Sequence, residues 1–111
     1  GLTISPIFAP AVVPLHRGMI VDIPLPIGAM PGAPSPAAMR AALRDHYAGS
    51  PIVRLVEDYG ASTLTVERCA NSDRLDLFVF ANEAGTQVRL VAALQNLNIL
   101  AGLEQTAGLK L

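Results

Sequence analysis

The sequence contains one cysteine, Cys69, and no tryptophan. A single thiol excludes an intramolecular disulfide and any zinc or iron–sulfur site built on several cysteines. The acidic residues show no spacing typical of metal ligands either, so we expect no metal cofactor. Because small secreted domains usually rely on disulfides, the cysteine content favours a cytoplasmic protein.

Charge is also scarce and shows no excess of one sign. The 8 Lys and Arg against 9 Asp and Glu give a formal net charge of −1 with the histidines neutral. A protein that binds nucleic acid or an acidic membrane surface is expected to carry a clear basic excess. We therefore expect neither kind of partner.

Long hydrophobic runs are absent. No segment reaches the ~18 uninterrupted apolar residues that span a bilayer, and the first residues lack the pattern of a secretory signal. Even so, hydrophobic residues make up 51% of the 111 residues and charged residues only 15%. This composition is too apolar for a disordered chain and sparse in charge for the surface of a monomer. We expect one soluble domain, residues 1–111, with a surface that another subunit covers.

Apolar periodicity predicts several strands. They are expected at residues 2–8, 17–27, 52–56, 73–80 and 86–94, with a possible short strand at 63–67. The last two of the five flank a turn at residues 82–85 and should pair as an antiparallel hairpin. Pro24 and Pro26 remove hydrogen-bond donors on one side of the second strand, which should therefore lie at a strand end or a free edge.

Two helices are predicted as well. Ser35 supplies an N-cap oxygen and Pro36 occupies the first turn of a helix that Gly49 helps to end. The apolar spacing of residues 94–101 predicts a second helix, with Gly102 as its stop. The expected fold is α+β, with a mostly antiparallel sheet of at least four strands and helices packed on one face.

Few residues suggest chemistry. Cys69 has neither the helix N-terminus nor the neighbouring histidine that would lower its pKa, so we interpret it as a strand-end or loop thiol. His16 lies in a loop without a matched carboxylate or serine, and His46 lies where it would meet the negative end of the first helix. Arg17 followed by Gly18 is more suggestive, since a guanidinium beside a residue without Cβ lets an anionic oxygen pair approach closely. A surface salt bridge of Arg17 is an equally good interpretation.

The order of segments resembles the C-terminal catalytic and dimerisation domain of the N-acetyl-gamma-glutamyl-phosphate reductase family, in its short bacterial form. The most specific pieces are F-x-P…R-G-M between Phe8 and Met19, L-F-V-F at residues 77–80, and Q-N-x-N…G-L between Gln95 and Leu103. The resemblance covers nearly the whole chain and rests on the order and spacing of these pieces together. It implies a fold of the glyceraldehyde-phosphate-dehydrogenase C-terminal-domain kind.

The resemblance implies a part of an NADPH-dependent oxidoreductase of arginine biosynthesis, which reduces an acyl phosphate to an aldehyde and releases phosphate. In this family a cysteine thiolate attacks the acyl phosphate, hydride from the nicotinamide collapses the resulting thioester, and a histidine handles the protons. The motifs that carry those residues, N-P-G-C-Y-P-T and H-x-P-E, are absent here, and so is a dinucleotide motif. We therefore expect no catalytic residue in this chain, with neither Cys69 nor His16 in these roles. The 111 residues alone should be inactive, and NADP should bind mainly to a nucleotide-binding domain that this chain lacks.

The matched positions imply supporting roles. Arg17 and Gly18 fall where the family places a loop close to the substrate, so Arg17 is the expected contact to an anionic group. Gln95 and Asn96 begin the helix whose N-terminal amides could face cofactor or phosphate. Family members also carry D-N-L-x-K-G-A-x-G-x-A-V before Q-N-x-N, whereas Leu94 joins Gln95 directly here. Either this segment has been lost or it is missing between the two residues, and we favour the second because a loop facing an absent domain has little to order it.

The main interpretation is therefore a domain that supplies sheet and subunit interface to a homo-oligomeric reductase, a dimer or tetramer. Two alternatives stay open. One is a non-enzymatic assembly domain of the same fold, retained for its pairing surface. The other is a related acyl-phosphate reductase with a different amino-acid phosphate as substrate, although R-G-M, where aspartate-semialdehyde enzymes tend to show R-G-H, disfavours aspartyl phosphate.

Overall fold

The computed structural model describes residues 7–15, 18–70 and 72–94. Its strands and helix are β1 (Met19–Leu25), α1 (Pro36–Tyr47), β2 (Val53–Leu55), β3 (Leu75–Ala81) and β4 (Val88–Leu94). Two short 3-10 turns, Ile27–Ala29 and Val66–Cys69, lie in the connections. The predicted second helix, apart from Leu94 at its start, and most of the predicted strand at residues 2–8 lie outside the described residues.

The four strands form one sheet in the order β1-β4-β3-β2. β4 pairs antiparallel with β1 and with β3, so the predicted hairpin of β3 and β4 is confirmed. β2 pairs parallel with β3. The sheet is therefore mixed, and the prediction of a mostly antiparallel sheet is wrong. The reason is the connection between β2 and β3, which is a long crossover that returns the chain to the same end of the sheet, as parallel neighbours require. The α+β class itself is confirmed.

Helix α1 begins where the sequence predicted. The Ser35 side chain accepts a hydrogen bond from the Ala38 amide at 3.1 Å, and Pro36 takes the first helical position, where its missing N–H costs nothing. Met39 and Leu43 lie one turn apart and pack against a buried cluster formed by Ile27, Val79 and Val88. This contact places α1 on one face of the sheet, over β2 and β3.

The opposite face has a core of its own. Phe78, Val91, Ala93 and Cys69 form a buried cluster, and partly buried side chains from the β2–β3 crossover, including Tyr59, pack over it. The strand predicted at residues 63–67 is wrong, because the chain folds there into the Val66–Cys69 turn. β-branched residues favour extended backbone, but here the turn places Cys69 in the buried cluster with Phe78 and Val91.

β1 lies at one edge of the sheet, as its prolines predicted. It pairs with β4 along its whole length, including Pro24 opposite Arg89. Proline cannot donate to a neighbouring strand, so it is tolerated where its nitrogen points away from the partner. Residues 7–15, which precede β1, are irregular and exposed rather than a further strand.

Candidate functional site

The start of β1 and the end of β4 lie at the same end of the sheet. Met19 and Leu94 are register partners, and Leu94 is also paired with Leu75 of β3. The two strand ends that lead to residues 17 and 95 are therefore side by side. Arg17, Gln95 and Asn96 themselves lie outside the described residues, so of the four predicted site residues only Gly18 is described.

Gly18 is pressed against the Val66–Cys69 turn. Its φ is +102°, a backbone conformation that residues with a Cβ rarely adopt. A Cβ built at this position would lie 2.2 Å from the carbonyl oxygen of Val66. The oxygen that approaches Gly18 so closely thus belongs to this chain. In the described structure Gly18 serves to bring the start of β1 against the turn.

A buried carboxylate lies on β3 next to the same turn. Asp76 is 2% exposed and carries the charge of a strand that is otherwise apolar. Arg54 donates to its two oxygens from Nε at 3.0 Å and from Nη2 at 2.8 Å, and Arg68 donates from Nε at 2.9 Å. These hydrogen bonds raise the pKa of Arg54 above its ordinary value. With two guanidinium groups for one carboxylate, this trio of charged residues has a net positive charge.

Two aromatic rings hold the Arg68 guanidinium in place. Its central carbon lies 4.9 Å from the ring centre of Tyr59 and 5.2 Å from that of Phe78. Cation–π contacts at such distances add to the ion pair. Tyr59 and Phe78 also meet edge to face, with ring centres 5.3 Å apart. The Val66–Cys69 turn, which carries Arg68, is therefore fixed over the sheet immediately beside Gly18.

Sequence reasoning missed this trio. The alternation of residues 73–80 placed Asp76 on the same strand face as Phe78, but it indicated no partner for the carboxylate. The one available signal was a charged residue at a position whose strand neighbours, Leu75 and Leu77, are apolar. Arg54 and Arg68 are separated from Asp76 by 22 and 8 residues, and no local pattern connects them.

Cys69 is buried within this corner of the fold. Its Sγ donates to the carbonyl oxygen of Ala93 at 3.2 Å, and burial raises the pKa of the thiol above its ordinary value. A thiol with a raised pKa remains protonated at neutral pH and is a poor nucleophile. Across residues 7–15, 18–70 and 72–94, no group of His, Cys, Asp and Glu could hold a metal ion. The helix within the same ranges is too short and too polar to cross a membrane.

Comparison with known proteins gives a consistent match. Residues 1–96 match the family described as semialdehyde dehydrogenase, dimerisation domain. The chain is 43% identical over 95 residues to proteins named N-acetyl-gamma-glutamyl-phosphate reductase from Brucella ovis, Brucella canis and Brucella suis. The matched part covers 83% of this chain and 31% of each relative. The chain thus spans about a third of the length of the curated relatives that it matches.

Replacing Gly18 with alanine tests the contact with the turn. Gly18→Ala should lower the free energy of unfolding by about 1–3 kcal/mol or more, because the new methyl group meets the Val66 carbonyl and the positive φ becomes strained. Urea denaturation followed by circular dichroism measures the effect. Gly60→Ala is the matched control, since nothing lies within 4 Å of a Cβ at Gly60 and the change should stay within about 0.5 kcal/mol. Equal stabilities of the two variants would contradict the packing role of Gly18.

Proposed function

Because the chain belongs to the semialdehyde dehydrogenase dimerisation-domain family, we propose that it forms the subunit-pairing part of an N-acetyl-gamma-glutamyl-phosphate reductase. The longer enzyme would use NADPH to reduce the acyl phosphate to an aldehyde, releasing phosphate, in cytoplasmic arginine biosynthesis. The cysteine and histidine of the reaction, and most of the NADP site, would lie outside this chain. The α+β sheet would be of the glyceraldehyde-phosphate-dehydrogenase C-terminal-domain kind.

An apolar strip on the sheet supports the pairing role. Met19, Val21 and Ile23 of β1 are 39–43% exposed, and they lie on the same face as α1, which packs mainly over β2 and β3. Their register partners on β4 are apolar as well: Leu90 and Ala92 are partly exposed, and Leu94 is buried. Exposed apolar patches of this kind mark protein interfaces. We name these residues of β1 and β4 the apolar strip.

A second copy of the chain is the occupant that fits the apolar strip. In a two-fold symmetric dimer, both subunits contribute the same surface patch to the interface. All residues of β1 and β4 that point to this face are apolar, so two copies could approach without bringing like charges together. The family description, a dimerisation domain, agrees with this arrangement.

The end of the sheet that carries Gly18 is proposed to face the substrate. Arg17 would contact the phosphate or carboxylate of the acyl phosphate, with Gly18 positioning it. Gln95 and Asn96 would lie toward the cofactor. The side-by-side placement of Met19 and Leu94, from which both segments lead, supports a shared role for these positions.

A charge placed in the apolar strip should prevent pairing. Val21→Glu is expected to weaken self-association of the 111-residue chain at least about tenfold, because a buried carboxylate without a partner is costly. Sedimentation equilibrium measures the association constant. Val12→Glu makes the same change at a fully exposed position before β1 and should leave association unchanged. A chain that is monomeric at high concentration, or a Val21→Glu variant that still pairs, would contradict this interface.

Chimeras with the Brucella ovis relative test the enzymatic role. In the first, the direct chimera, this chain replaces the matching segment of the relative, with Leu94 joined to Gln95. In the second, the relative keeps its own residues between the positions that correspond to Leu94 and Gln95. We expect reductase activity, measured as NADPH oxidation with N-acetyl-gamma-glutamyl phosphate, in the second chimera only, because it retains the family segment D-N-L-x-K-G-A-x-G-x-A-V, here called the glycine-rich segment. The 111-residue chain alone should show none.

The outcomes of the chimeras separate two proposals. Activity of the direct chimera would contradict the need for the glycine-rich segment and leave the enzymatic role intact. Folded but inactive chimeras of both kinds would overturn the reductase role and favour the assembly domain. Reductase activity of the isolated chain would also overturn the assignment of the catalytic residues to the rest of the enzyme.

Arg17→Ala in an active chimera tests the substrate contact. Loss of a charge-assisted hydrogen bond that forms with substrate and transition state alike should raise KM for the acyl phosphate about 10- to 100-fold and change kcat little. Arg89→Ala serves as the control, since Arg89 on β4 pairs with Asp22 on β1, away from the Gly18 end of the sheet. An unchanged KM for Arg17→Ala would exclude Arg17 as an anion contact.

A further inference from the structure

The edge of the sheet formed by β2, opposite to β1, borders a cavity of about 660 Å³. Residues at the end of α1, in and next to β2, and just before β3 line the cavity. Among them are Arg44, Tyr47, Arg54, Leu55, Glu57 and Arg74. The cavity therefore wraps around the edge strand and reaches both faces of the sheet. The apolar strip and the Gly18 end of β1 are on the far side of the fold.

β2 presents backbone groups to this cavity. On its inner side, the Ile52 carbonyl accepts from Leu75 at 3.0 Å, and the Val56 amide donates to Leu77 at 2.9 Å. Because successive residues of a strand direct their backbone groups to opposite sides, those of Val53 and Leu55 point away from β3. The Val53 amide is hydrogen-bonded to the Ser50 side chain. Within the described structure, this leaves the Val53 carbonyl and both backbone groups of Leu55 free for an added strand.

Arginine side chains flank the edge on both faces. Arg44 lies on the α1 side, where it pairs with Glu57 at 2.6 Å and with Asp45 at 3.8 Å. Arg54 and Arg74 lie toward the other face, where Arg54 is engaged with Asp76. Arg74 is exposed, and no described residue forms an ion pair with it. The cavity lining thus contains three arginines and one glutamate.

We propose that this edge binds an extended peptide segment with acidic side chains, which adds to the sheet beside β2 as a fifth strand. Backbone hydrogen bonds to Leu55 and Val53 would align the segment. Its side chains would alternate between the faces. Acidic residues on one side would meet Arg74, and those on the other would compete with the exposed Glu57 and Asp45 for Arg44.

Charge distinguishes this occupant from others. Pairing β2 with β2 of a second copy would bring the same arginines together, and like charges across neighbouring strands are unfavourable. A small anion such as phosphate would satisfy the arginines but leave the backbone groups of Leu55 unpaired. Short edge strands with charged side chains discourage pairing with most other strands. The acidic side chains of the segment would therefore decide which strand binds at this edge.

A fluorescein-labelled peptide, Thr-Glu-Glu-Val-Glu-Glu-Thr blocked at both ends, is the probe. Fluorescence anisotropy with the 111-residue chain should show saturable binding that weakens with salt, and the same peptide with lysine in place of glutamate should not bind. Arg74→Glu should weaken binding at least about tenfold. Arg89→Glu makes the same change in charge on β4, two strands away, and should alter the affinity less than about twofold.

Amide hydrogen exchange separates strand addition from simple charge attraction. The Leu55 amide should become protected when the peptide binds, whereas inorganic phosphate should leave its exchange unchanged. Binding without protection of Leu55, or full displacement of the peptide by millimolar phosphate, would show a plain anion site and overturn the proposal. Absence of binding, or equal effects of Arg74→Glu and Arg89→Glu, would overturn it as well.

Discussion

The buried carboxylate of Asp76 is the constraint on which much of the structure depends. It lies on an inner strand at 2% exposure, and a charge in such a place is tolerated only when donors surround it. Arg54 supplies two hydrogen bonds from β2, and Arg68 supplies one from the Val66–Cys69 turn. The same interaction therefore ties the edge strand and the turn to the centre of the sheet, and it positions the surface against which Gly18 packs.

The two edges of the sheet differ in chemical character. β1 exposes apolar side chains on the part of the sheet face that α1 leaves open, and Pro24 makes it a poor template for added strands. β2 is short and flanked by arginines, and among the described residues its outward Val53 carbonyl and both backbone groups of Leu55 are free. The surface proposed for subunit pairing, at β1, and the one proposed for an extended segment, at β2, thus lie at opposite edges of the sheet.

The parts that the sequence predicted correctly depend on local signals. Ser35 and Pro36 determine the start of α1 through a side-chain cap and a missing donor, which need no distant partner. The hairpin of β3 and β4 follows from two alternating segments joined by a short turn, in which Asn82 accepts hydrogen bonds from Thr86 and Gln87. The errors fall on the crossover between β2 and β3, where the strand direction and the Val66–Cys69 turn depend on packing against the sheet.

Some residues at the candidate site could likewise be predicted from local sequence signals, and others could not. The pair Arg17 and Gly18 could be singled out because a glycine beside a cation has a recognisable local meaning. The trio of Asp76, Arg54 and Arg68 could not, because its members come from a strand, an edge strand and a turn that meet only in the folded chain.

By itself the sequence determined the α+β class, the limits of α1, the hairpin and the edge position of β1, since capping, alternation and proline chemistry act over a few residues. The tertiary structure alone decided which face of β1 stays uncovered, how the buried charge is compensated, and why position 18 must be glycine. These features depend on contacts between residues distant in sequence, such as the approach of the Val66 carbonyl to Gly18, and no local pattern encodes such distances.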